Sequence, residues 1–308
     1  PLCEEARGGS AGPRPRGPEG LGPEAAPLCA DAVALLRACA VSAADLARSQ
    51  VYLCGPTPFF HQRKNCVGAD AGWSCGYRNV QMLVGHLLLR EDGPRGLFGG
   101  RVPDIPDLQA ELDRLWAHGY DPEGRCQMGG SVSGTRKWIG TSEACVLLRG
   151  QAVRCNIQSF VGGPPGDAQG GPSAAEAVVE RCLRHFGGGP AGPSPARAGG
   201  GIVDSGRPPL YLQHSGHSRT VVGVQRRYDP RHGGGHVDFL LVLDPGLGER
   251  GFEDFRARAG QGRGWERFVK RSLAPLGRKS EYELLVVEAG GSIRPEQAEA
   301  ARCVARAV

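Results

Sequence analysis

At residues 72–89 the chain reads GWSCGYRNVQMLVGHLLL, in which a serine precedes a cysteine and an apolar-periodic run follows. Serine favours the N-cap position, so the pattern predicts a helix that begins at Cys75 and is capped by Ser74. The first N–H groups of a helix are unpaired and its dipole is positive there, so a thiolate at Cys75 is stabilised. A thiol with a lowered pKa is nucleophilic at neutral pH. Cysteine is also among the most frequently buried residues, so a core position is the alternative unless the chain supplies a base.

Length and composition indicate a globular protein with looped or disordered inserts. The 308 residues allow one large domain or two smaller ones, and 40% hydrophobic with 22% charged residues is ordinary for a globular chain. The 49 glycines and 24 prolines are clustered along the chain. No apolar run has the length of a transmembrane helix, and the N-terminus lacks the pattern of a signal peptide. No membrane partner is therefore expected.

Eleven cysteines without any CxxC pair favour a reducing compartment, so a cytoplasmic and nuclear location is expected. Cys54, His61 and Cys66 could suggest a zinc site, but no fourth ligand follows at a finger-like interval. We therefore expect neither a metal ion nor another cofactor.

The net charge of +5 comes from the segment between residues 249 and 279. That segment holds nine basic and four acidic side chains, a surplus of 9 − 4 = 5. Phe252, Phe255 and Phe268 interleave with the charges, as on a surface helix with one buried face. A nucleic-acid footprint is the alternative. The aromatic spacing favours a solvated charged face, and no nucleic-acid partner is expected.

Hydrophobic periodicity and clusters of Gly and Pro divide the chain into four parts. They are a disordered Gly/Pro-rich tail (1–27), a helical segment (28–50), a main domain (51–290) and a C-terminal helical tail (291–308). Flexible inserts are predicted inside the main domain at 162–172 and 187–208. Helices come first and strands later, which predicts an α+β fold with one central, mostly antiparallel sheet.

Eight histidines could act as a base for Cys75. His86 lies eleven residues further along the same predicted helix, about 16 Å away, which excludes it. His214 and His217 lie in a polar segment between two hydrophobic strands, where turn side chains project at the rim of a sheet. On the residues alone these two are equal candidates, and both could be ordinary turn residues. Asp244 ends the next apolar strand, where it could orient an imidazole or simply form a turn.

Four motifs make the chain similar to a known family: GWSCGYRNVQML, WIGTSE, PLYLQHSGHSRTVVGV and LLVLDPG. Together they resemble the papain-like cysteine peptidases, which include the proteases specific for ubiquitin-fold modifier and the zinc-finger-containing deubiquitinases. The resemblance runs from about Val51 to Glu288. It implies a papain-like α+β fold, in which a nucleophile at a helix N-terminus packs on a central, mostly antiparallel sheet.

The resemblance assigns a role to each residue of the predicted catalytic group. It implies Cys75 as nucleophile, His217 as general base and Asp244 as the residue that orients the imidazole. Gln213 matches the family's oxyanion-stabilising glutamine, which would act with the Cys75 backbone N–H; such a donor contributes about 3 kcal/mol in comparable removals. The proteases for ubiquitin-fold modifier take their base from an Asp-Pro-His sequence, whereas here a glycine, Gly246, follows the Asp-Pro pair. The resemblance therefore implies the deubiquitinase branch.

The implied partner is ubiquitin or a polyubiquitin chain, whose Arg-Gly-Gly tail needs a narrow groove and carboxylates for its arginines. Asp121 and Glu143 match the family's positions for those carboxylates, and Trp73 and Trp138 could form the groove walls. On the residues alone, Asp121 is typical of a turn and Glu143 of a first helical turn. Tryptophans are more often core residues.

Departures from the family leave two alternatives. Ser74 replaces the usual glycine before the nucleophile, a small change that should be tolerated. The zinc fingers and accessory ubiquitin-binding segments of the family are not evident, so the helical segment at 28–50 is the possible ubiquitin contact, and a preference for one linkage type stays open. The alternatives are a protease specific for ubiquitin-fold modifier and a non-catalytic module that binds ubiquitin chains. A monomer is expected.

Overall fold

A mostly antiparallel sheet forms the centre of the fold in the computed structural model, which describes residues 26–66, 68–94, 96–162, 172–188, 200–231, 235–304 and 306–307. Within these ranges its strands are Ser49–Leu53 (β1), Val153–Val161 (β2), Gly201–Asp204 (β3), Leu210–His214 (β4), His217–Tyr228 (β5), His236–Leu243 (β6), Lys270–Ser272 (β7), Glu281–Ser292 (β8) and Arg306–Ala307 (β9). They follow the order β3-β1-β5-β4-β8-β2-β9, and β6 pairs with β5 and β7. The parallel pairs are β1 with β3 and β2 with β9.

Helices pack against the sheet, and the predicted α+β class is confirmed. The helices in the described ranges are Ala32–Val41 (α1), Cys75–Leu89 (α2), Ile105–Ala117 (α3), Pro122–Gln127 (α4), Thr141–Gly150 (α5), Ala174–Phe186 (α6), Gly248–Arg256 (α7), Glu266–Val269 (α8) and Leu273–Leu276 (α9). The helix predicted from the opening motif begins at Cys75, as expected. No helix of the described residues is long and apolar enough to cross a membrane.

The core lies on both faces of the sheet because side chains alternate along each strand. In β4, Leu210 and Leu212 pack into one cluster with residues of α1 and α6. Tyr211 between them packs into a second cluster with residues of α2, α3 and α5. Leu284 and Leu285 of β8 divide in the same way between the two clusters. Helix α2 contacts β4 and β5, so the cysteine at its start lies at the ends of these two strands.

Local sequence accounts for the start of α6. The hydroxyl of Ser173 accepts a hydrogen bond from the Glu176 N–H (3.3 Å), and the Glu176 carboxylate accepts one from the Ser173 N–H (2.8 Å). This is the capping box that the sequence indicates. The aromatic face predicted in the basic segment is also confirmed, because Phe252, Phe255 and Phe268 are buried.

The helical segment at 28–50 is shorter than predicted and packs into the core. Its helix is α1, which begins after Asp31, whose carboxylate accepts from the Val33 N–H (3.0 Å). Val33 and Leu36 of α1 are buried with residues of β1 and β5. The last residues of the segment form the start of β1.

Two predictions about the second half of the chain were wrong. The insert at 187–208 is not loop throughout, since residues 201–204 form β3 and pair with β1. The tail at 291–308 is not a helix: after β8 it forms 3₁₀ turns at Pro295–Gln297 and Ala300–Arg302, and then β9 beside β2. In both cases the edge of a distant strand supplies hydrogen bonds that local periodicity does not reveal. The tail at 1–27, except its last two residues, and most of the insert at 162–172 lie outside the described residues.

Candidate active site

Cys75 is the first residue of α2 and is almost fully buried, with 7% of its surface exposed. Its thiol forms hydrogen bonds with the His217 imidazole and with Ser218. Burial raises the pKa of the Cys75 thiol, but these hydrogen bonds and the charge of His217 outweigh burial, so the pKa is lowered overall. That is the direction a nucleophilic cysteine needs.

The capping contact at the start of α2 differs from the prediction. Ser74 occupies the N-cap position, but its side chain makes no capping hydrogen bond. With its carboxamide oxygen turned toward the helix, Gln62 instead accepts from the N–H groups of Ser74 (3.2 Å) and Cys75 (3.1 Å). A side chain from the preceding loop therefore caps the helix and occupies the Cys75 N–H, which was expected to face an oxyanion. No local motif in the sequence marks Gln62 for this position.

His217 and Asp244 form the second half of the site. Nε2 of His217 lies 2.7 Å from Oδ1 of Asp244, which leaves Nδ1 to face the Cys75 thiol. Burial lowers the pKa of His217, but the hydrogen bonds with Asp244 and Cys75 raise it to about 9. Both shifts favour the pair in which the Cys75 thiolate lies beside the His217 imidazolium.

The Asp244 carboxylate is fixed by further donors at the end of β6. Nε of Arg219 donates to Oδ2 (2.7 Å), and the N–H of Gly246 donates to Oδ1 (2.9 Å). Burial raises the pKa of Asp244, but the hydrogen bonds from His217 and Arg219 hold it well below its usual range. The carboxylate therefore stays ionised and acts only as an acceptor.

His214, which the residues alone could not separate from His217, has other partners. Its Nε2 lies 2.9 Å from Nη1 of Arg219, and its Nδ1 lies 2.9 Å from the carbonyl oxygen of Ser215. Burial and the neighbouring Arg219 charge lower the pKa of His214. The structure thus brings His217 to the thiol, and both ring nitrogens of His214 are occupied.

A buried amide that the sequence analysis missed holds α2 against β5. Nδ2 of Asn79 donates to the Cys75 carbonyl oxygen (2.8 Å) and to Oγ of Ser218 (2.9 Å). Oδ1 of Asn79 accepts from the Thr220 hydroxyl (2.8 Å). The available signal was the spacing, because a residue four positions after Cys75 lies on the same face of a helix.

Beside the catalytic group lies a pocket of about 420 Å³ with acidic walls. Three residues singled out from the sequence, Asp121, Glu143 and Gln213, line it together. Glu123 and Glu283 also line it, whereas no lysine or arginine is among the described lining residues. The negative potential of such walls suits a cationic segment of a partner.

Two of these carboxylates also organise the pocket backbone. Asp121 has φ = 38° and caps α4 by accepting from the Gly124 N–H (3.2 Å). Glu143 accepts from the Gly140 N–H (2.7 Å) at the start of α5. Each carboxylate therefore has a fixed direction before any ligand arrives.

Gln213 lies between the acidic pocket and the nucleophile. It is opposite Ser218 on the β4–β5 ladder, and Ser218 contacts Cys75. The Tyr211 hydroxyl donates to Oε1 of Gln213 (3.2 Å), so the amide nitrogen is the end left to donate. Gly76 allows the close approach here, since a Cβ at this position would lie 3.1 Å from the Tyr211 hydroxyl and 2.4 Å from the Ile139 carbonyl oxygen.

That Trp73 and Trp138 wall the groove for the tail stays a prediction. Neither Trp73 nor Trp138 is among the described lining residues of the acidic pocket. Trp73 packs edge-on against Tyr77, with ring centroids 5.7 Å apart, and lines a separate cavity of about 270 Å³. Trp138 is 50% exposed, two residues before Gly140.

The three residues that could have suggested zinc do not converge. Cys54 is buried and contacts the Thr57 hydroxyl (3.4 Å), whereas Cys66 is exposed. Across the described ranges, no group of three or more His, Cys, Asp or Glu side chains is placed to hold a metal ion.

Curated proteins that resemble this chain carry the names of ubiquitin and Ufm1 peptidases. "Zinc finger-containing ubiquitin peptidase 1" of Rattus norvegicus is 34% identical over 229 residues, which cover 74% of this chain and 36% of that protein. "Ubiquitin carboxyl-terminal hydrolase mug105" of Schizosaccharomyces pombe is 31% identical over 180 residues, 58% of this chain and 62% of that protein. "Ufm1-specific protease 1" of Mus musculus is 29% identical over 192 residues, 61% of this chain and 65% of that protein.

The matched region spans only 36–40% of the zinc finger-containing peptidases of Macaca fascicularis, Rattus norvegicus and Homo sapiens. The model of Peptidase family C78 matches residues 48–285, which include Cys75, Gln213, His217 and Asp244. That match covers most of the chain and every strand from β1 to β7. The chain therefore belongs to Peptidase family C78.

Proposed function

We propose that this chain is a deubiquitinating cysteine protease, which hydrolyses isopeptide bonds after the C-terminal Gly-Gly of ubiquitin. One observation carries the proposal: the buried Cys75 thiol at a helix start contacts His217, which in turn lies 2.7 Å from the Asp244 carboxylate. The match to Peptidase family C78 and the names of the related ubiquitin peptidases support it.

In the proposed reaction, Sγ of Cys75 attacks the carbonyl carbon of the terminal glycine, and an oxyanion forms. The amide of Gln213 donates to this oxyanion, and the Cys75 N–H joins it once the substrate displaces the Gln62 carbonyl oxygen. The His217 imidazolium gives its proton to the leaving lysine amine as the C–N bond breaks, which leaves a thioester. Water deprotonated by His217 then releases the ubiquitin carboxylate, while Asp244 keeps the imidazole oriented.

The acidic pocket supports ubiquitin as the substrate. Asp121 and Glu143 line the approach to Gln213, where they would bind the guanidinium groups of the Arg-Gly-Gly tail. The identity of residue 246 favours ubiquitin over ubiquitin-fold modifier, because a glycine replaces the histidine of the Asp-Pro-His sequence. A Cβ at Gly246 would lie 3.5 Å from Cε1 of His217, so position 246 adjoins the imidazole that serves Cys75 here.

The test is labelling with a ubiquitin whose C-terminus carries an electrophile. We expect one adduct, on Cys75, and none with Cys75→Ala. Cys29→Ala, which removes a partly exposed free thiol outside the acidic pocket, serves as the matched control and should label like the natural chain. Labelling of another cysteine, or of Cys75→Ala, would contradict the assignment.

A panel of electrophilic probes separates this function from its two rivals. A protease specific for ubiquitin-fold modifier would react preferentially with a probe built on that modifier, as the similarity to a Ufm1-specific protease suggests. A non-catalytic module would bind ubiquitin chains without forming an adduct. A deubiquitinase reacts fastest with the ubiquitin probe.

We propose further that the enzyme acts as a monomer in the cytoplasm and nucleus. All described cysteines are free thiols, and the sulfur atoms of Cys145 and Cys155 lie 3.7 Å apart without a bond. These free thiols support a reducing compartment. A preference for one polyubiquitin linkage would come from contacts outside the catalytic group. Cleavage of a panel of linkage-defined diubiquitins measures it directly.

A further inference from the structure

A second cleft, of about 850 Å³, shares no lining residue with the acidic pocket. Its walls are the loop 61–66, which precedes the nucleophile's helix, and residues 247–250 at the start of α7. We call it the basic cleft. None of the steps proposed above uses its residues other than Gln62.

The basic cleft is in direct contact with the nucleophile through Gln62. This side chain accepts from the Cys75 N–H (3.1 Å), and the Gln62 N–H donates to the carbonyl oxygen of Pro245 (2.9 Å). Gln62 is also one of the lining residues of the cleft. A chain segment in the cleft would therefore reach the atoms that surround Cys75.

The two depressions adjoin different neighbours of β5 in the sheet. Strand β5, which carries His217, pairs with β4 on one edge and with β6 on the other. Gln213 on β4 lines the acidic pocket, whereas the basic cleft is built from residues that follow Asp244 at the end of β6. If the ubiquitin tail reaches Cys75 from the acidic pocket, the lysine and its neighbours leave toward the basic cleft.

The charges of the two depressions are opposite. Arg63, Lys64 and Arg250 line the cleft against a single carboxylate, Glu249, a surplus of 3 − 1 = 2 positive charges. Burial and the Arg78 charge lower the pKa of His61, which also lines the cleft, and this favours its neutral form. Among the described residues, Lys64 and Arg250 are exposed and form no ion pair, so both are available to a partner.

We propose that the basic cleft is the acceptor subsite, which binds an acidic peptide segment that flanks the lysine of the isopeptide bond. This inference rests on the proposed function, since it assigns the leaving-group side of the same site. Complementary charge would select acceptors by sequence and speed their encounter with the site.

The experiment compares two isopeptide substrates that share one ubiquitin tail. In one, the acceptor lysine is flanked by glutamates; in the other, it is flanked by lysines. We expect the acidic substrate to have a higher kcat/KM by about tenfold, the change that one to two exposed charge pairs can supply. The preference should shrink as salt is added, because exposed charges are screened.

Charge reversal in the cleft tests its location. In Lys64→Glu/Arg250→Glu the preference for the acidic substrate should vanish or invert. Arg48→Glu/Arg184→Glu is the matched control, because Arg48 lies beside the end of β5 remote from His217 and Arg184 is on α6. This control should keep the natural ratio of the two rates.

Each outcome decides between the proposals. Equal rates for the two substrates in the natural chain, or an unchanged ratio in the reversed variant, would overturn the acceptor subsite. If the reversed variant does not fold, the ratio and its salt dependence in the natural chain still decide. The same two peptides linked to ubiquitin-fold modifier distinguish the two proposals. If only these substrates are cleaved, the proposed deubiquitinase activity is wrong. The ratio of kcat/KM for the acidic and basic peptides still tests the acceptor subsite.

Discussion

At the scale of single residues, the reactivity of Cys75 depends on side chains as much as on the helix that carries it. The helix start alone predicts a lowered thiol pKa, yet burial raises the pKa and must be outweighed. Hydrogen bonds with His217 and Ser218 do so. Gln62 meanwhile satisfies two of the first N–H groups of α2, so fewer of them face the thiolate.

The alkaline limit of activity is predicted to depend on Asp244. The raised pKa of His217 keeps the imidazolium up to about pH 9, and the thiolate–imidazolium pair is lost above it. In Asp244→Asn the amide no longer stabilises the charged ring, so the His217 pKa falls and the alkaline limb of kcat/KM moves to lower pH. We expect a shift of at least about one pH unit and a loss of at least about tenfold near neutral pH, measured with a fluorogenic ubiquitin substrate.

Asp238→Asn is the matched control for that prediction. Asp238 lies on the same strand, β6, and its carboxylate is also bound by an arginine, Arg226 (2.8 Å). It lies near the far end of β5, so its removal should leave the alkaline limb in place. An alkaline limb that is the same in Asp244→Asn and in the natural chain would show that Asp244 does not set the pKa of His217.

At the scale of elements, the site depends on how α2 is fixed to β5. The nucleophile is on the helix and the base is on the strand, so their distance is set by this one contact. Asn79 makes it, with hydrogen bonds to the Cys75 carbonyl oxygen, Ser218 and Thr220. Fully satisfied buried amides of this kind fix one arrangement of two elements.

Asn79→Ala is predicted to lower stability and thiol reactivity together. It removes the amide that bonds the Cys75 carbonyl oxygen, Ser218 and Thr220, which should reduce the free energy of unfolding by about 1–3 kcal/mol. The rate of Cys75 alkylation near neutral pH should fall as well, because the helix start is no longer tied to the strand with His217. Urea unfolding and timed alkylation measure the two effects.

Asn156→Ala provides the comparison for this change. Asn156 is on β2, and its side chain makes only one long hydrogen bond, to Glu288 (3.5 Å), among the described contacts. Its loss should change stability by less than about 0.5 kcal/mol. Similar urea midpoints for the two variants would mean that the Asn79 contacts contribute little.

At the scale of the whole molecule, the segment before β1 is part of the folded domain. Leu36 of α1 is fully buried and belongs to the same cluster as residues of β1, β4, β5 and β6. We predict that Leu36→Ala lowers the free energy of unfolding by about 2–5 kcal/mol, because it leaves a cavity in this cluster. Val41→Ala, at a position with 62% exposure on the same helix, should cost less than about 0.5 kcal/mol. If Leu36→Ala and Val41→Ala have equally small effects on the free energy of unfolding by urea, α1 does not contribute to the stability of the core.

Patterns within short stretches predicted several elements well. The start of α2, the capping box of α6 and the apolar run of β6 are encoded by neighbouring residues, so periodicity and turn chemistry were enough. The catalytic candidates also came from local context, since Cys75 begins a helix and Asp244 ends a strand. Local context did not distinguish His217 from His214, because both lie in the same polar turn.

The remaining features depend on partners far apart in the chain. Strands β3 and β9 form because each pairs with a strand that is distant in the chain. Asn79 forms hydrogen bonds with residues 139 and 141 positions away. The basic cleft likewise joins the loop 61–66 to the start of α7. Such contacts leave no periodic trace in a single sequence.

By itself, the sequence determined which residues could react and which helix would carry the nucleophile, because capping and periodicity act over a few residues. The residues alone left His214 and His217 as equal candidates, and the family resemblance assigned His217. The tertiary structure brings His217 to the thiol, and it alone decided that Gln62 caps α2 and that the acidic pocket and the basic cleft adjoin different neighbours of β5. The physical reason is that charge and hydrogen-bond energies depend on distance in space, and the sheet sets those distances only after strands far apart in the chain have paired.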